Sequence, residues 1–203
     1  MLSFTPILAG GIVSVMQTSH EIEILDQSPL IDELLGQFST ELGSNLKPYR
    51  GHLLRVLTYA LHFLEGDRTH LPTMEVALVY HDIGVWTANT LAYLEPSVAL
   101  AVKDNDANGW GYDAELLRDI IYWHHKITPF RGRHANVVNA IRKADWIDAS
   151  NGRIRKGLSR ETIATVEAAI PSEGFHASLK SIGASVAGSR MAAFRDLLKV
   201  IKV

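Results

Sequence analysis

The stretch VALVYHDIGVW, residues 76–86, ends an apolar helical pattern with His81 and Asp82. Such side chains are rarely buried without partners. If the helix ends near Gly84, its macrodipole favours His81 but disfavours Asp82, unless a cation lies close by. The pair therefore predicts a metal site at the end of a core helix. A polar pair satisfied without an ion is the alternative.

Composition narrows the class of protein. The chain has 203 residues, of which 47% are hydrophobic, enough for one full core. Twenty basic and 22 acidic residues give a net charge of −2 without any run of one sign. We therefore expect no nucleic-acid arm and no membrane-binding patch. Cysteine is absent, so a metal would have to bind His, Asp or Glu.

The apolar N-terminal segment, residues 1–27, is predicted to be an arm or a packing segment. No Lys or Arg precedes Lys47, so the segment lacks the positive start of a signal peptide. It is too short for a membrane span, and Pro6 and Gly10 interrupt it. We expect a cytoplasmic protein, with Met16 as an alternative start. The arm could pack on its own domain or on a second copy in a homodimer.

Helical periodicity covers nearly all the remaining chain, and no hairpin pattern of alternating strands is present. The fold class predicted is all-α, a compact single-domain helical bundle over residues 28–203. Ser28, Thr73, Asp113 and Ser159 are predicted N-caps. The helices are expected over residues 28–42, 51–66, 73–84, 96–106, 113–125, 136–150 and 159–170, followed by a mostly helical tail from residue 175.

Further polar side chains recur on two of these helices. His52 and Arg55 are three residues apart and share one helix face. Asp145 lies in an apolar helix, with Asp148 on the same face. A half-buried Asp145 needs a partner. The alternative for the first pair is a surface His52 beside a solvated Arg55. The alternative for the second pair is that Asp145 and Asp148 form an exposed acidic stripe.

The ordered set His52 in YRGHLLRV, His81 and Asp82 in VYHDIG, and Asp145 in KADWIDA resembles the HD-domain superfamily of metal-dependent phosphohydrolases. The resemblance covers about residues 49–155. It is extended by ADWIDASNGRIRKG, residues 144–157, which is similar to small bacterial members of the superfamily. Membership implies an all-α bundle in which these four side chains surround one divalent ion.

The chemistry of the four candidate ligands agrees with a metal-dependent hydrolase. Two imidazoles and two carboxylates suit Mn, Fe, Co, Ni or Zn, and suit Mg less well. Such an ion would activate water and polarise a phosphoryl group. Asp82 or Asp145 could also orient the water as a catalytic base. We expect hydrolysis of a phosphate ester of a small molecule, with a nucleotide as one candidate.

The stretch IIYWHHKITPFRGRH, residues 120–134, adds basic side chains after a predicted helix. His124 or His125 could face the metal as a catalytic acid or a phosphate ligand, and Lys126 or Arg131 could neutralise the substrate. The alternative is that these basic side chains only stabilise the C-terminus of the helix through its macrodipole. A second ion would need His124 or His125, together with His134. One ion is favoured, and two are left open.

Arg55 and Asp148 complete the predicted substrate contacts, with Arg55 as the first choice for phosphate. A structural ion pair between Arg55 and Asp82 or Asp145 is the alternative. Two other functions also remain open, because a fold does not fix a reaction. They are an HD-fold metal oxygenase or lyase, and a non-catalytic helical module that binds a ligand.

Overall fold

The computed structural model describes residues 21–178 and residue 181. Within them every regular element is a helix, and the helices form one compact domain, which confirms the predicted all-α class. The α-helices are α1 (Pro29–Gly36), α2 (Ser39–Leu42), α3 (Leu46–Phe63), α4 (Leu71–Tyr80), α5 (Gly84–Thr87), α6 (Leu94–Ala107), α7 (Ala114–Trp123), α8 (Ala135–Ala149) and α9 (Arg160–Ala169), and a 3-10 turn covers Gly43–Asn45.

Helix α3 is the centre of the bundle, since it packs along α8 and also contacts α1, α4 and α9. From Gly51 to Leu61 every residue of α3 is buried, including His52 and Arg55. Helix α4 packs against α1, α3, α6 and α7, and all its residues from Thr73 to Tyr80 are buried. This double packing explains why the run before His81 is apolar on all sides.

Three of the four predicted N-caps are confirmed. The hydroxyl of Ser28 accepts from the backbone N–H of Ile31, and Asp113 and Ser159 cap α7 and α9 in the same way. The cap predicted at Thr73 is wrong. Helix α4 begins at Leu71, because Pro72 fits the first turn, where its missing N–H costs nothing.

Gly84 does not simply end a helix. Helix α4 ends at Tyr80, and Gly84 begins the short α5. A Cβ at Gly84 would lie 2.6 Å from the carbonyl oxygen of Tyr93, and its N–H donates to the hydroxyl of Ser97 over 2.9 Å. The glycine lets the chain after His81 and Asp82 approach α6 closely.

The described part of the N-terminal arm packs on the bundle. Ile22 is buried in the core, and the N–H of Leu25 donates to the hydroxyl of Thr58 over 3.1 Å. Residues 1–20 of the predicted arm, and almost all of the predicted helical tail beyond residue 178, lie outside the described residues. In the part that is described, no helix has the length and apolarity needed to cross a membrane.

Candidate metal centre

The four predicted metal ligands come together in the core. His52 lies in α3, His81 caps the end of α4, Asp82 follows it, and Asp145 lies in α8. All four are buried. Nε2 of His52 lies 3.1 Å from Nε2 of His81 and 3.4 Å from Oδ1 of Asp145, while Oδ2 of Asp82 lies 3.3 Å from the His81 nitrogen. Side chains separated by up to 93 residues in sequence therefore share one small volume, in which His52, His81 and Asp145 can hold a metal ion, with Asp82 beside His81.

His52 is oriented from behind by a carboxylate. Its Nδ1 lies 2.7 Å from Oδ2 of Asp148, which leaves Nε2 to face the centre. Asp148 is itself held by Arg55, whose Nε and Nη2 donate to its two oxygens over 2.5 and 2.9 Å. A carboxylate behind a histidine fixes the ring and raises its basicity as a ligand.

His81 is oriented by the helix that it ends. Its Nδ1 donates to the carbonyl oxygen of Leu78 over 2.5 Å, so Nε2 carries the lone pair that faces the centre. The ring also stacks on Tyr49, with centroids 5.8 Å apart. Burial lowers the pKa of His81 to about 4, so the imidazole is neutral at physiological pH and ready to bind a cation.

The 3.1 Å separation between the two Nε2 atoms has a clear physical meaning. Two lone pairs at that distance repel each other unless a cation lies between them. A proton on His52 is one such cation, since Asp145 and Asp148 raise the pKa of His52 to about 9 against the effect of burial. A metal ion is the other. Adjacent ligands 2.1 Å from an octahedral ion would be about 3.0 Å apart.

The carboxylates of Asp82 and Asp145 face histidine nitrogens and few other donors. Within the described residues, Oδ1 of Asp82 and Oδ1 of Asp145 are buried without a hydrogen-bond partner, and Oδ2 of Asp145 lies 2.8 Å from Nδ1 of His125. Burial alone would raise the pKa of each group. The neighbouring histidines instead hold both pKa values well below the usual range, through His81 at Asp82 and His125 at Asp145. Buried, ionised and short of donors, the two carboxylates need a compensating cation.

His124 and His125 bring two more nitrogens to the same carboxylates. Nδ1 of His124 donates to the carbonyl oxygen of Ile121 over 2.6 Å, and its Nε2 lies 3.3 Å from Oδ1 of Asp82. Nδ1 of His125 lies 2.8 Å from Oδ2 of Asp145. His124, His125 and Asp145 form one potential ligand group, and His81, Asp82 and His124 form another. Each aspartate thus offers one oxygen to the His52 side and the other to the His124–His125 side.

His125 is the most accessible of these groups. Its side chain is 21% exposed, whereas that of Asp145 is 1% exposed. Asp145 raises the pKa of His125 against the effect of burial. The centre is therefore closed around His52 and opens to solvent beside His125.

The predicted substrate contacts Arg55 and Asp148 do not lie free in the site. Both are buried and bonded to each other, and Nη1 of Arg55 donates to the carbonyl oxygens of Ile170 and Pro171. Their hydrogen bonds are directed at each other, at His52 and at the end of α9. These contacts fit residues that position His52, and they do not fit a phosphate contact.

The remaining predicted site residues, Lys126, Arg131 and His134, lie in different surroundings. Lys126 is buried, with Nζ 4.4 Å from the centroid of the Tyr122 ring, and Arg131 is exposed. The substrate roles of both side chains stay predictions. Nε2 of His134 lies 3.6 Å from Oδ2 of Asp113, which caps the start of α7. His124 caps the other end of this helix, about 15 Å away. The prediction of His134 as a ligand for a second ion is therefore wrong.

Some neighbours of the centre carried no signal in the sequence. Phe175 stacks on His52 with centroids 4.2 Å apart, and His176 lies 2.7 Å from the carbonyl oxygen of Asp148. These contacts extend the site beyond the predicted core of residues 49–155. On the open side, the Trp146 ring lies 6.1 Å from His125 and supports Nζ of Lys156 at 5.5 Å.

No protein-family model, curated protein or solved structure matches this chain. The likeness to the HD-domain superfamily therefore rests on the ordered residues themselves.

Proposed function

We propose that the protein is a metal-dependent phosphohydrolase that cleaves a phosphate ester of a small molecule, with nucleotides among the candidates. The observation that carries the proposal is the buried cluster of His52, His81, Asp82 and Asp145, in which imidazole nitrogens and carboxylate oxygens face one another within 3.1–3.4 Å. Divalent metal bound there would polarise the phosphoryl group and activate water.

The chain's own residues divide the remaining work. Asp148 and Arg55 hold His52 in place, and Asp82 or Asp145 can accept a proton from the attacking water through an oxygen that is free of ligand duty. His125 is partly exposed, and Asp145 raises its pKa, which favours the protonated imidazole. It is suited to protonate the leaving-group oxygen.

A second ion is the alternative use of His124 and His125. His124 and His125 would then help to hold that ion together with Asp82 and Asp145, since each aspartate directs one oxygen to either side. In that arrangement His125 is a ligand and cannot act as the acid. If His125→Gln holds one metal per chain and stays active, His125 is neither the catalytic acid nor a metal ligand. If the wild type holds two metals per chain and His125→Gln holds one, His125 is a ligand of the second ion.

Lys156 is our choice for the cation that meets the substrate. It lies in the loop after α8, with Nζ 5.5 Å from the Trp146 ring, and that ring in turn lies 6.1 Å from the partly exposed His125. Burial lowers its pKa, and Arg142 and Lys143 add to the effect, so an anion beside Lys156 would be favourable. Lys156 takes the role that the sequence analysis gave to Arg55.

The test is elemental analysis of the purified protein together with a panel of phosphate esters and nucleotides. At least one divalent metal per chain is expected, and chelation should abolish hydrolysis. His81→Ala and Asp82→Ala should lose both metal and turnover, while His62→Ala, a histidine on α3 outside the cluster, should keep both. Unchanged metal content and hydrolysis in His81→Ala and Asp82→Ala would refute the proposal.

A metal-dependent oxygenase is the second candidate. The specific observation is that His124 and His125 supply the extra nitrogens that such a centre would need. Two irons per chain with substrate-dependent oxygen uptake would favour it. Colourless protein with one ion and phosphatase activity would exclude it.

A further inference from the structure

A basic cavity lies between the loop after α8 and helix α9, and the proposed metal chemistry does not use it. Its volume is about 360 Å³, which is within the range of small-ligand sites. Its charged lining comprises Arg153, Arg155, Arg160 and Glu167. Three guanidinium groups against one carboxylate leave an excess of two positive charges.

Within residues 21–178, none of the three arginines forms an ion pair with a carboxylate. Among the residues that the structure describes, the arginines in ion pairs are Arg50, Arg55, Arg68 and Arg133. Three guanidinium groups held round one concavity repel each other unless an anion lies between them. Planar guanidinium groups also match the oxygens of phosphate in a bidentate fashion.

The loop backbone fixes the shape of the cavity. Asn151 and Gly152 both have positive φ, and the N–H of Gly152 donates to the carbonyl oxygen of Ile147 over 2.9 Å. A Cβ at Gly152 would lie 3.1 Å from Ile163, so the glycine lets the loop approach α9 closely. The N–H of Ile154 donates to the hydroxyl of Ser150. Arg153 and Arg155 therefore extend from a hydrogen-bonded loop that is packed on α9, the helix that Arg160 begins.

We propose that this cavity binds a diphosphate group, either as a free inorganic anion or as part of a larger molecule. Arg153, Arg155 and Arg160 would contact the phosphate oxygens, and the positive end of α9, where Arg160 begins the helix, adds attraction. Glu167 opposes the anion from the same cavity. The site is separate from the metal ligands, so it stands or falls independently of the proposed hydrolase activity.

The test is calorimetric titration of the full-length protein with methylenediphosphonate, a diphosphate that resists hydrolysis. Arg155→Gln/Arg160→Gln should bind it at least about tenfold more weakly, because charge-assisted hydrogen bonds are lost. Glu167→Gln should bind several-fold more tightly. Arg118→Gln, which removes an exposed arginine of α7, should match the wild type.

The decisive result is that the affinity falls in the arginine variant and rises in Glu167→Gln. Binding at the metal centre cannot produce these opposite changes, because all the variants keep the same metal ligands. A parallel titration of the wild type and of Arg155→Gln/Arg160→Gln with adenosine diphosphate identifies the source of the group. Only the binding that the double variant loses is assigned to the cavity, because a nucleotide could also bind at the metal centre. If the double variant weakens adenosine diphosphate at least as much as methylenediphosphonate, the site takes a larger molecule; if it weakens methylenediphosphonate alone, the site takes the free anion. The proposal is overturned if no variant changes the affinity or if the wild type does not bind.

Discussion

The two sides of the metal centre are built differently. On the His52 side, His52 is bonded to Asp148, Asp148 to Arg55, and Arg55 to the backbone at Ile170 and Pro171, all of them out of solvent or nearly so. On the His125 side, the imidazole is partly exposed, with Trp146 beside it. The difference indicates that the first side fixes the ligands, and under the proposed function the more open second side is where the substrate would enter.

Asp145 joins the two sides, and its replacement should have the largest effect. In Asp145→Asn, a neutral amide replaces the carboxylate whose oxygens face His52 and His125. We expect metal to be lost and turnover to fall by more than about 100-fold, since groups that only orient a ligand already account for about 10–100-fold. Metal content and initial rates measure this. Retention of both would mean that the two sides do not share a ligand.

Asp148→Asn should damage the His52 side alone. The variant leaves Arg55 buried without its counter-charge, which costs about 3–5 kcal/mol of unfolding free energy. Metal affinity should also fall by about 10–100-fold, because His52 loses its orienting carboxylate. Urea denaturation and chelator competition measure the two effects.

The chain contains a matched control for that variant. Arg50 and Asp32 form a bidentate pair with the same distances, 2.5 and 2.9 Å, but at the surface. Asp32→Asn should cost only about 0–1 kcal/mol and leave metal binding unchanged. Equal destabilisation by Asp32→Asn and Asp148→Asn would remove the distinction between a locked side and an ordinary ion pair.

Metal affinity should depend on pH through His52. Its pKa of about 9 in the metal-free protein means that an ion must displace a proton at lower pH, whereas His81, at about 4, is already deprotonated. Apparent affinity should therefore rise with pH, by up to about tenfold per unit, and level off above about pH 9. Competition with a chelator across this range measures the slope. A flat profile near neutral pH would show that His52 is not a ligand.

Lys156→Ala should give the smallest effect and affect only the His125 side. An exposed cation that contacts an anionic substrate is worth about 1 kcal/mol, so KM should rise about 3–10-fold with little change in kcat. Lys103→Ala, at an exposed position of α6, is the control. A loss of metal in Lys156→Ala would contradict its assignment to substrate binding.

The sequence predicted the parts of the site that depend on local patterns. Helical periodicity and the caps at Ser28, Asp113 and Ser159 placed most helices, because these signals involve neighbours in sequence. The unusual position of Asp82 after an apolar run pointed to the centre for a physical reason, the cost of a buried charge. Its position beside His81 and His124, with which it could hold an ion, agrees with that reasoning.

Other features depend on tertiary contacts and left no local signal. Arg55 is three residues from His52 whether it meets substrate or Asp148, and only the packing of α3 on α8 distinguishes the two. The approach of Phe175 to His52 and of Lys156 to Trp146 depends on how two loops return to the bundle. The role of Gly84 likewise depends on α6, which follows later in the chain.

X-ray absorption at the edge of the bound metal tests the central claim most directly. The account predicts mixed nitrogen and oxygen coordination with at least two imidazoles on an ion, and a metal–metal distance of about 3.5–4 Å if His124 and His125 hold a second one. His81→Ala should lose imidazole scattering from whatever metal remains. Coordination by oxygen alone, or a spectrum that His81→Ala leaves unchanged, would contradict a centre built from these histidines.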